Sequence, residues 1–302
     1  MSNTQLSDNL IFHLPVVLQP LLSPLFNNIS IDVLRLDAIH PIVSGNKWFK
    51  LKYYIEDCKQ QEKNSIATFG GAYSNHIVAT AFACKKAKIK SIGIIRGEAN
   101  NFLSHTLQDA KNYGMELHFV SRNEFKEKET IKNKFDKNIY WVNEGGYGIL
   151  GAKGAATILQ TAPTENYTHI LCACGIGTML AGIVNAAQSH QKIWGISVFK
   201  NNHSLEQEIK NILPDNKQHS FEMLHQYHFG GYAKHPLTLI NWMNELYQKE
   251  NLPTDIIYTS KLLFAVKDLC YNNTFSSTDK LLIIHSGGLQ GNLSLAPNTL
   301  SF

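Results

Sequence analysis

The chain lacks the features that would place it in a membrane, a secretory pathway or a metal-binding class. None of its apolar runs approaches the ~18 residues that a spanning helix needs, so a membrane partner is not expected. Its five cysteines, Cys58, Cys84, Cys172, Cys174 and Cys270, are odd in number and irregular in spacing, which fits free thiols in a reducing compartment better than a disulfide framework. Cys172 and Cys174 stand one residue apart inside an apolar run with no second Cys or His pair at zinc-ligand spacing, so no metal site is expected. The segment Met1–Asn9 is polar and has no basic region leading into an apolar core; a secretory signal is not expected and the cytoplasm is the default. A net charge of +4 without a basic stripe interleaved with aromatics argues against nucleic acid and leaves small acidic molecules as the better partners.

What is present is an ordinary globular composition. With 302 residues and 44% hydrophobic content the chain can bury two moderate cores, which favours two sub-domains. Short β-rich runs alternate with longer helical ones, the pattern of an α/β protein built on mostly parallel sheets. Strands are expected at Ser65–Phe69, Ser91–Arg96, Glu116–Val120, Tyr140–Asn143, Thr168–Cys174, Trp194–Phe199 and Leu281–Ile284. Helices are expected at His76–Ala87, Asn101–Tyr113, Gly151–Thr161, Met179–Ser189, Pro236–Glu250 and Lys261–Cys270, with a solvated helix within the charged stretch 122–138. The region from Asn201 to His235 is weakly patterned and receives no assignment.

The most informative stretch is Ser44-Gly45-Asn46-Lys47-Trp48-Phe49-Lys50. From Lys47 the apolar residues Leu51, Tyr54, Ile55 and Cys58 fall at i+4, i+7, i+8 and i+11, one stripe of a helix whose first turn carries two lysines. Cations at a helix N-terminus oppose its dipole, and an anion held between them and the backbone N–H groups reverses that cost. Four strand-to-helix turns are also rich in Gly, Ser, Asn and Thr: Gly70–Asn75, Glu144–Gly148, Gly175–Thr178 and Ser286–Gly288. Gly175-Ile176-Gly177-Thr178 suits a phosphate, although it lacks the lysine of a Walker loop and the third glycine of a dinucleotide fingerprint. Ser74, ahead of a helix, is either a cap or a carboxylate ligand. A poised lysine, a phosphate loop and a carboxylate loop are together the parts of a pyridoxal-phosphate site.

Five motifs in order carry a resemblance: Ser44-Gly45-Asn46-Lys47, Gly70 through His76, Cys174 through Thr178, Ile257-Tyr258-Thr259-Ser260-Lys261, and His285-Ser286-Gly287-Gly288. In these the chain resembles the pyridoxal-phosphate enzymes that include 1-aminocyclopropane-1-carboxylate (ACC) deaminase and D-cysteine desulfhydrase, of the tryptophan synthase β-like group, fold type II. The resemblance implies two open, twisted, mostly parallel sheets flanked by helices. It also implies a large cofactor-binding domain of residues 1–50 and 162–302 with a smaller α/β domain, 51–161, inserted into it. It implies pyridoxal 5'-phosphate as cofactor, a small amino acid as substrate and a homodimer in the cytoplasm. Lys47 would be the Schiff-base lysine and the base at the α-carbon. Lys50 and Gly175, Ile176, Gly177 and Thr178 would hold the phosphate, and Asn75 the ring oxygen. Ser74 and His76, with Asn75 beside them, would meet the substrate carboxylate, and Tyr258 the ring or substrate. ACC deaminases have Tyr-Glu at the fourth motif and desulfhydrases Tyr-Thr; Tyr258-Thr259 therefore favours α,β-elimination over ring opening, with Thr259 facing the cofactor's ring nitrogen. The other readings are ACC deaminase activity, a non-catalytic pyridoxal-phosphate or metabolite sensor, and a dinucleotide-dependent oxidoreductase resting on Gly175-Ile176-Gly177 alone.

Overall fold

The protein was analysed as a computed structural model that describes residues 16–40, 43–99 and 102–302. The polar stretch Met1–Asn9 and the expected helix start at Asn101 lie outside the described residues. In chain order the elements are β1 (Leu18–Pro20), β2 (Ser30–Arg35), α1 (Lys47–Gln60), β3 (Ser65–Gly71), α2 (Asn75–Ala87), β4 (Lys90–Arg96), α3 (His105–Asn112), β5 (Met115–Val120), α4 (Lys128–Lys132), β6 (Ile139–Val142) and α5 (Ile149–Ala156). They continue with β7 (His169–Cys174), α6 (Thr178–Ala186), β8 (Lys192–Ser197), α7 (Leu205–Lys210), β9 (Glu222–Leu224), α8 (Leu237–Glu250), α9 (Thr259–Tyr271) and β10 (Lys280–His285).

The strands form two sheets. One has the order β1-β2-β10-β7-β8-β9 and is parallel except for β1; the other, β5-β4-β3-β6, is parallel throughout. Every residue of β7 is buried, as are Leu281–His285 of β10. These strands therefore read as unbroken apolar runs, because a parallel sheet is covered by helices on both faces. Each fully buried Leu or Ile there contributes about 1.5–3 kcal/mol of transfer free energy. Among the described residues no helix is long and apolar enough to cross a membrane.

Both sheets contain a point at which the strand order reverses. In the smaller sheet β4 and β5 lie to one side of β3 and β6 to the other; in the larger, β8 lies to one side of β7 and β10 to the other. Ligands of open parallel sheets bind outside the carboxyl ends of strands at such points. The loops that leave these strand ends are 72–74, 143–148, 175–177 and 286–288, the Gly-rich turns already singled out in the sequence.

Several expectations need correction. Strands β1, β2 and β9 were not foreseen, and the unassigned region from Asn201 to His235 contains α7 and β9. The expected helix Gly151–Thr161 is α-helical only to Ala156 and then tightens into a 3-10 turn, Thr157–Thr161. The helix expected within 122–138 is only the five-residue α4, preceded by a 3-10 turn, Glu124–Lys126, and the two are anchored by the buried Phe125 and Ile131.

Helix α5 packs on α1 and α6 at small residues. A Cβ on Gly154 would lie 1.8 Å from Phe49 O, and one on Gly182 would lie 2.5 Å from the Cβ of Ala155. Helix propensity alone favours Gly154→Ala by about 1 kcal/mol, but the clash with backbone wins. The variant is expected to be less stable by about 3 kcal/mol or more, read as a lower urea midpoint. Gly114→Ala, at φ +88 with nothing within 4 Å, should lose only about 1 kcal/mol.

Candidate active site

Lys47 is the first residue of α1, and its placement is set by close backbone approach. Gly45 has φ +74, and a Cβ there would fall 1.8 Å from Ser286 O. The loop is tied by Gly45 N to Leu36 O at 2.7 Å and by Asn46 N to Ser286 O at 3.1 Å. Below it, buried His285 donates through Nε2 to Pro253 O at 2.9 Å, and its Nδ1 lies 3.1 Å from Asp37 Oδ1. Asp37 in turn pairs with Arg35 at 2.6 Å; its carboxyl is held below the ordinary range although burial opposes this, because His285 and Arg35 lie beside it.

The expected apolar stripe Leu51, Tyr54, Ile55 and Cys58 is buried, but so are Trp48, Phe49, Lys50 and Lys52, so the first two turns of α1 are enclosed on nearly all sides. Asn46 does not cap the helix; its Oδ1 accepts from Lys47 Nζ at 2.8 Å and its Nδ2 donates to Met179 Sδ at 3.1 Å. Burial drives the Lys47 ammonium down to about 8, against an opposing pull from Asp255. Lys50 is 4% exposed, and its Nζ makes no ion pair or hydrogen bond with the described residues. Burial first, and Lys47 second, push its pKa well below the ordinary lysine value.

Around these lysines the turns converge. A Cβ on Gly146 would lie 3.3 Å from Lys50 and 3.6 Å from the His76 ring, and one on Gly145 would lie 2.6 Å from Ile176. A Cβ on Gly288 would lie 3.4 Å from Asn75 Nδ2 and 3.2 Å from the Asp255 carboxyl carbon. At Gly177, φ +75 lets the chain enter α6 with no side-chain cap, leaving the first-turn N–H groups unpaired by the helix. Thr178 Oγ1 and Asn75 Oδ1 are buried without a hydrogen-bond partner. Ser74 occupies the cap position of α2 yet makes no side-chain cap hydrogen bond, so its hydroxyl and the N–H groups of Asn75 and His76 stay open to a ligand, whereas Ile77 N donates to Ser74 O at 3.0 Å. The arrangement could hold two anionic groups: one between Lys50 and the start of α6, one at the start of α2.

Two expected roles change in detail. The His76 ring is 2% exposed and its Nε2 lies 2.9 Å from Thr68 Oγ1, which itself donates to Val142 O. The ring therefore donates to Thr68 and keeps only a lone pair at Nδ1, unpartnered. A lone pair repels a carboxylate, so what His76 offers one is its main-chain N–H. Burial, then Lys47 and Lys50, hold the ring neutral down to about pH 3. Thr259 is fully buried, and its hydroxyl donates to Asp255 Oδ1 at 2.7 Å while accepting from Asp255 N at 2.8 Å. It can accept one further hydrogen bond but has no proton left to donate.

Asp255 is the functional residue that sequence reasoning missed. It is 0% exposed, and its carboxylate accepts from the main-chain N–H groups of Ile257 (2.9 Å), Tyr258 (2.9 Å) and Thr259 (2.8 Å). It thus caps the turn that carries Tyr258 and Thr259 into α9. The available signal was an Asp four residues ahead of a helix start, a capping position. Tyr258 faces Gly175, where a Cβ would lie 3.3 Å from its ring. Among the described residues no cluster of His, Cys, Asp and Glu could hold a metal ion.

The model of the family described as pyridoxal-phosphate dependent enzyme matches residues 15–287. A Thermotoga maritima protein provisionally named 1-aminocyclopropane-1-carboxylate deaminase is 26% identical over 87% of this chain and 89% of its own. The mitochondrial bifunctional D-cysteine desulfhydrase/1-aminocyclopropane-1-carboxylate deaminase of Arabidopsis thaliana is 24% identical over 88% and 74%. The crystal structure of an ACC deaminase homologue shares the fold with a TM-score of 0.80 at 22% identity, covering 93% of this chain and 92% of that one.

Two outcomes test the anion seat. Lys50→Met removes a buried amine that no described side chain pairs, so without added anion it should unfold about 2–4 °C higher for each kcal/mol relieved; the stabilisation by inorganic phosphate expected of the parent should vanish. Between pH 6.5 and about 3 the unfolded chain binds a proton that folded His76 refuses, so stability falls as pH falls through that window. His76→Gln should flatten this acid limb in calorimetric scans.

Proposed function

Because the chain belongs to the pyridoxal-phosphate dependent enzyme family, we propose that it is a lyase performing α,β-elimination on a small amino acid, with D-cysteine the first substrate. The reaction would consume D-cysteine and water and yield pyruvate, ammonia and hydrogen sulfide. The observation that carries the reading is the pair of lysines on the first turn of α1. One is a nucleophile or base near neutrality, and the other is a buried lysine without a side-chain partner beside a turn of open N–H groups.

The residues fit the cofactor. A phosphate would satisfy Lys50, Thr178 Oγ1 and the N–H groups of Gly175–Thr178, whose glycines leave it room. Lys47 would hold the cofactor covalently through Nζ, Asn75 would bond a ring oxygen, and Thr259 could only accept from the ring. When bound, pyridoxal phosphate supplies an electron sink for the charge left at the α-carbon.

The chain's own groups do the rest. Ser74 Oγ and the first N–H groups of α2 bind the substrate carboxylate and orient the α-carbon. Lys47 takes the α-proton, a role its lowered pKa allows, since its neutral fraction rises through about pH 8. Tyr258, whose phenol is raised above its ordinary value by burial and by Tyr232 and Asp255, stays a neutral donor that can protonate or hold the departing sulfur.

Opening of the cyclopropane ring of ACC is the second reading, and Asp255 speaks for it. A carboxylate one hydroxyl behind Thr259 could steady a protonated ring nitrogen in place of a direct glutamate. Five buried, unbridged cysteines suit the reducing cytoplasm. The homodimer and the division into 1–50 with 162–302 and an inserted 51–161 remain part of this proposal on the resemblance.

Pyruvate release from D- and L-cysteine, D-serine and β-chloroalanine, measured beside 2-oxobutanoate release from ACC, separates the readings; turnover of ACC alone would sink elimination. Lys47→Ala should lose the cofactor's protein-linked absorbance and at least ~10³-fold in turnover. For the parent, turnover of D-cysteine should climb with pH and level off above about 8.

A further inference from the structure

Lys261 belongs to the fourth motif, yet no step above uses it. It is fully buried in the first turn of α9, and its Nζ donates to three main-chain carbonyls: Val198 O at 3.3 Å, His228 O at 2.9 Å and Gly231 O at 2.7 Å. An ammonium has three N–H donors, so the set is complete, without an ion pair to any described carboxylate. The position is costly. A cation in a helix's first turn opposes the dipole, and burial lowers this lysine to about 8 against a weaker pull from Asp255.

The carbonyls identify what the lysine holds. Val198 immediately precedes Phe199, and Gly231 immediately precedes Tyr232; the two aromatic rings meet edge to face at 5.4 Å. A Cβ on Gly175 would lie 3.4 Å from Phe199 and 3.3 Å from Tyr258, so Phe199 stands beside Tyr258 at the mouth of the phosphate turn. The segment that carries Tyr232 is irregular coil with positive φ at Phe229 (51), Gly230 (91), Gly231 (120) and Ala233 (55). Two of these are not glycine, and a backbone so disposed persists only when its surroundings hold it.

We propose that Lys261 acts as a tethered monovalent cation: its ammonium fills a cage of three main-chain carbonyls and thereby positions Phe199 and Tyr232 as an aromatic wall against Tyr258. It is a positioning residue, and the wall is the contribution of the 199–232 region to the substrate pocket. The cage is independent of which reaction occurs; the wall's use in substrate binding rests on the function proposed above. Carbonyl oxygens arranged for an ammonium also suit potassium.

The test compares the parent and Lys261→Met holoenzymes in choline chloride, potassium chloride or ammonium chloride at equal ionic strength. The parent should be indifferent to the cation. In choline the variant should show faster amide hydrogen exchange in peptides covering 228–233 and about a tenfold higher KM with a smaller change in kcat. Potassium or ammonium should restore both. Unchanged exchange, or defects that neither cation reverses, would overturn the cage. Should Lys261→Met not fold, Tyr232→Ala serves, because that side chain is 49% exposed: KM should rise about tenfold with thermal midpoint unchanged, and an unchanged KM would overturn the wall. Hydrogen exchange needs no turnover, so a failed cage is distinguishable from a wrong reaction.

Discussion

A buried lysine without a counter-ion governs this structure. Lys50 is 4% exposed, and no described side chain pairs with its Nζ. Its neighbours make matters worse: Lys47 is one turn away, both stand at the positive end of α1, and α2 and α6 point their own unpaired N–H groups into the same space. Removing a charge from water costs several kcal/mol even after relaxation, so burial pushes the free lysine toward its neutral form. A bound anion would favour the ammonium. Burial lowers Lys47 to about 8, and burial together with the two lysines keeps His76 neutral, so the enclosure that excludes water also sets the protonation of the site.

Such an enclosure can be assembled only if backbones approach more closely than side chains permit. Gly45 lies on the backbone of Ser286, Gly146 on the side chains of Lys50 and His76, and Gly288 on those of Asn75 and Asp255. The topology brings them together. Each sheet reverses its strand order once, and the loops leaving those strands, two from each sheet, carry the glycines. Parallel pairing thus decides which turns meet, and glycine decides how near.

The fold was legible in the sequence where it is most regular. Runs such as Leu281–Ile284 and Thr168–Cys174 are apolar throughout because both of their faces are covered, and the 3.6-residue stripe of α1 is visible because one face of its later turns is not. Strands β1 and β9 escaped because each has three residues at a sheet edge, too few for a period to register. The turn of the site was legible as Gly-rich loops after strands, but the orientation of its side chains was not. Periodicity cannot tell that the His76 ring turns inward to Thr68, that Ser74 declines to cap, or that Thr259 gives its proton to Asp255, since each depends on a partner distant in sequence or on a choice between two local bonds.

That last choice bears on the chemistry most directly. A threonine in place of glutamate reads, from sequence, as a weaker partner for the cofactor's ring nitrogen. In the fold the hydroxyl is an acceptor whose proton already belongs to a carboxylate fastened by three main-chain N–H groups. An oxygen polarised in this way is a better acceptor than an isolated alcohol, because charge on Asp255 is transmitted through the shared proton. The difference between Tyr-Thr and Tyr-Glu is then one of degree, a carboxylate acting at one remove. Asp255 also pulls on Lys47 and Lys261. The residue that sets the turn beneath Tyr258 thus also raises both lysines against the burial that lowers them.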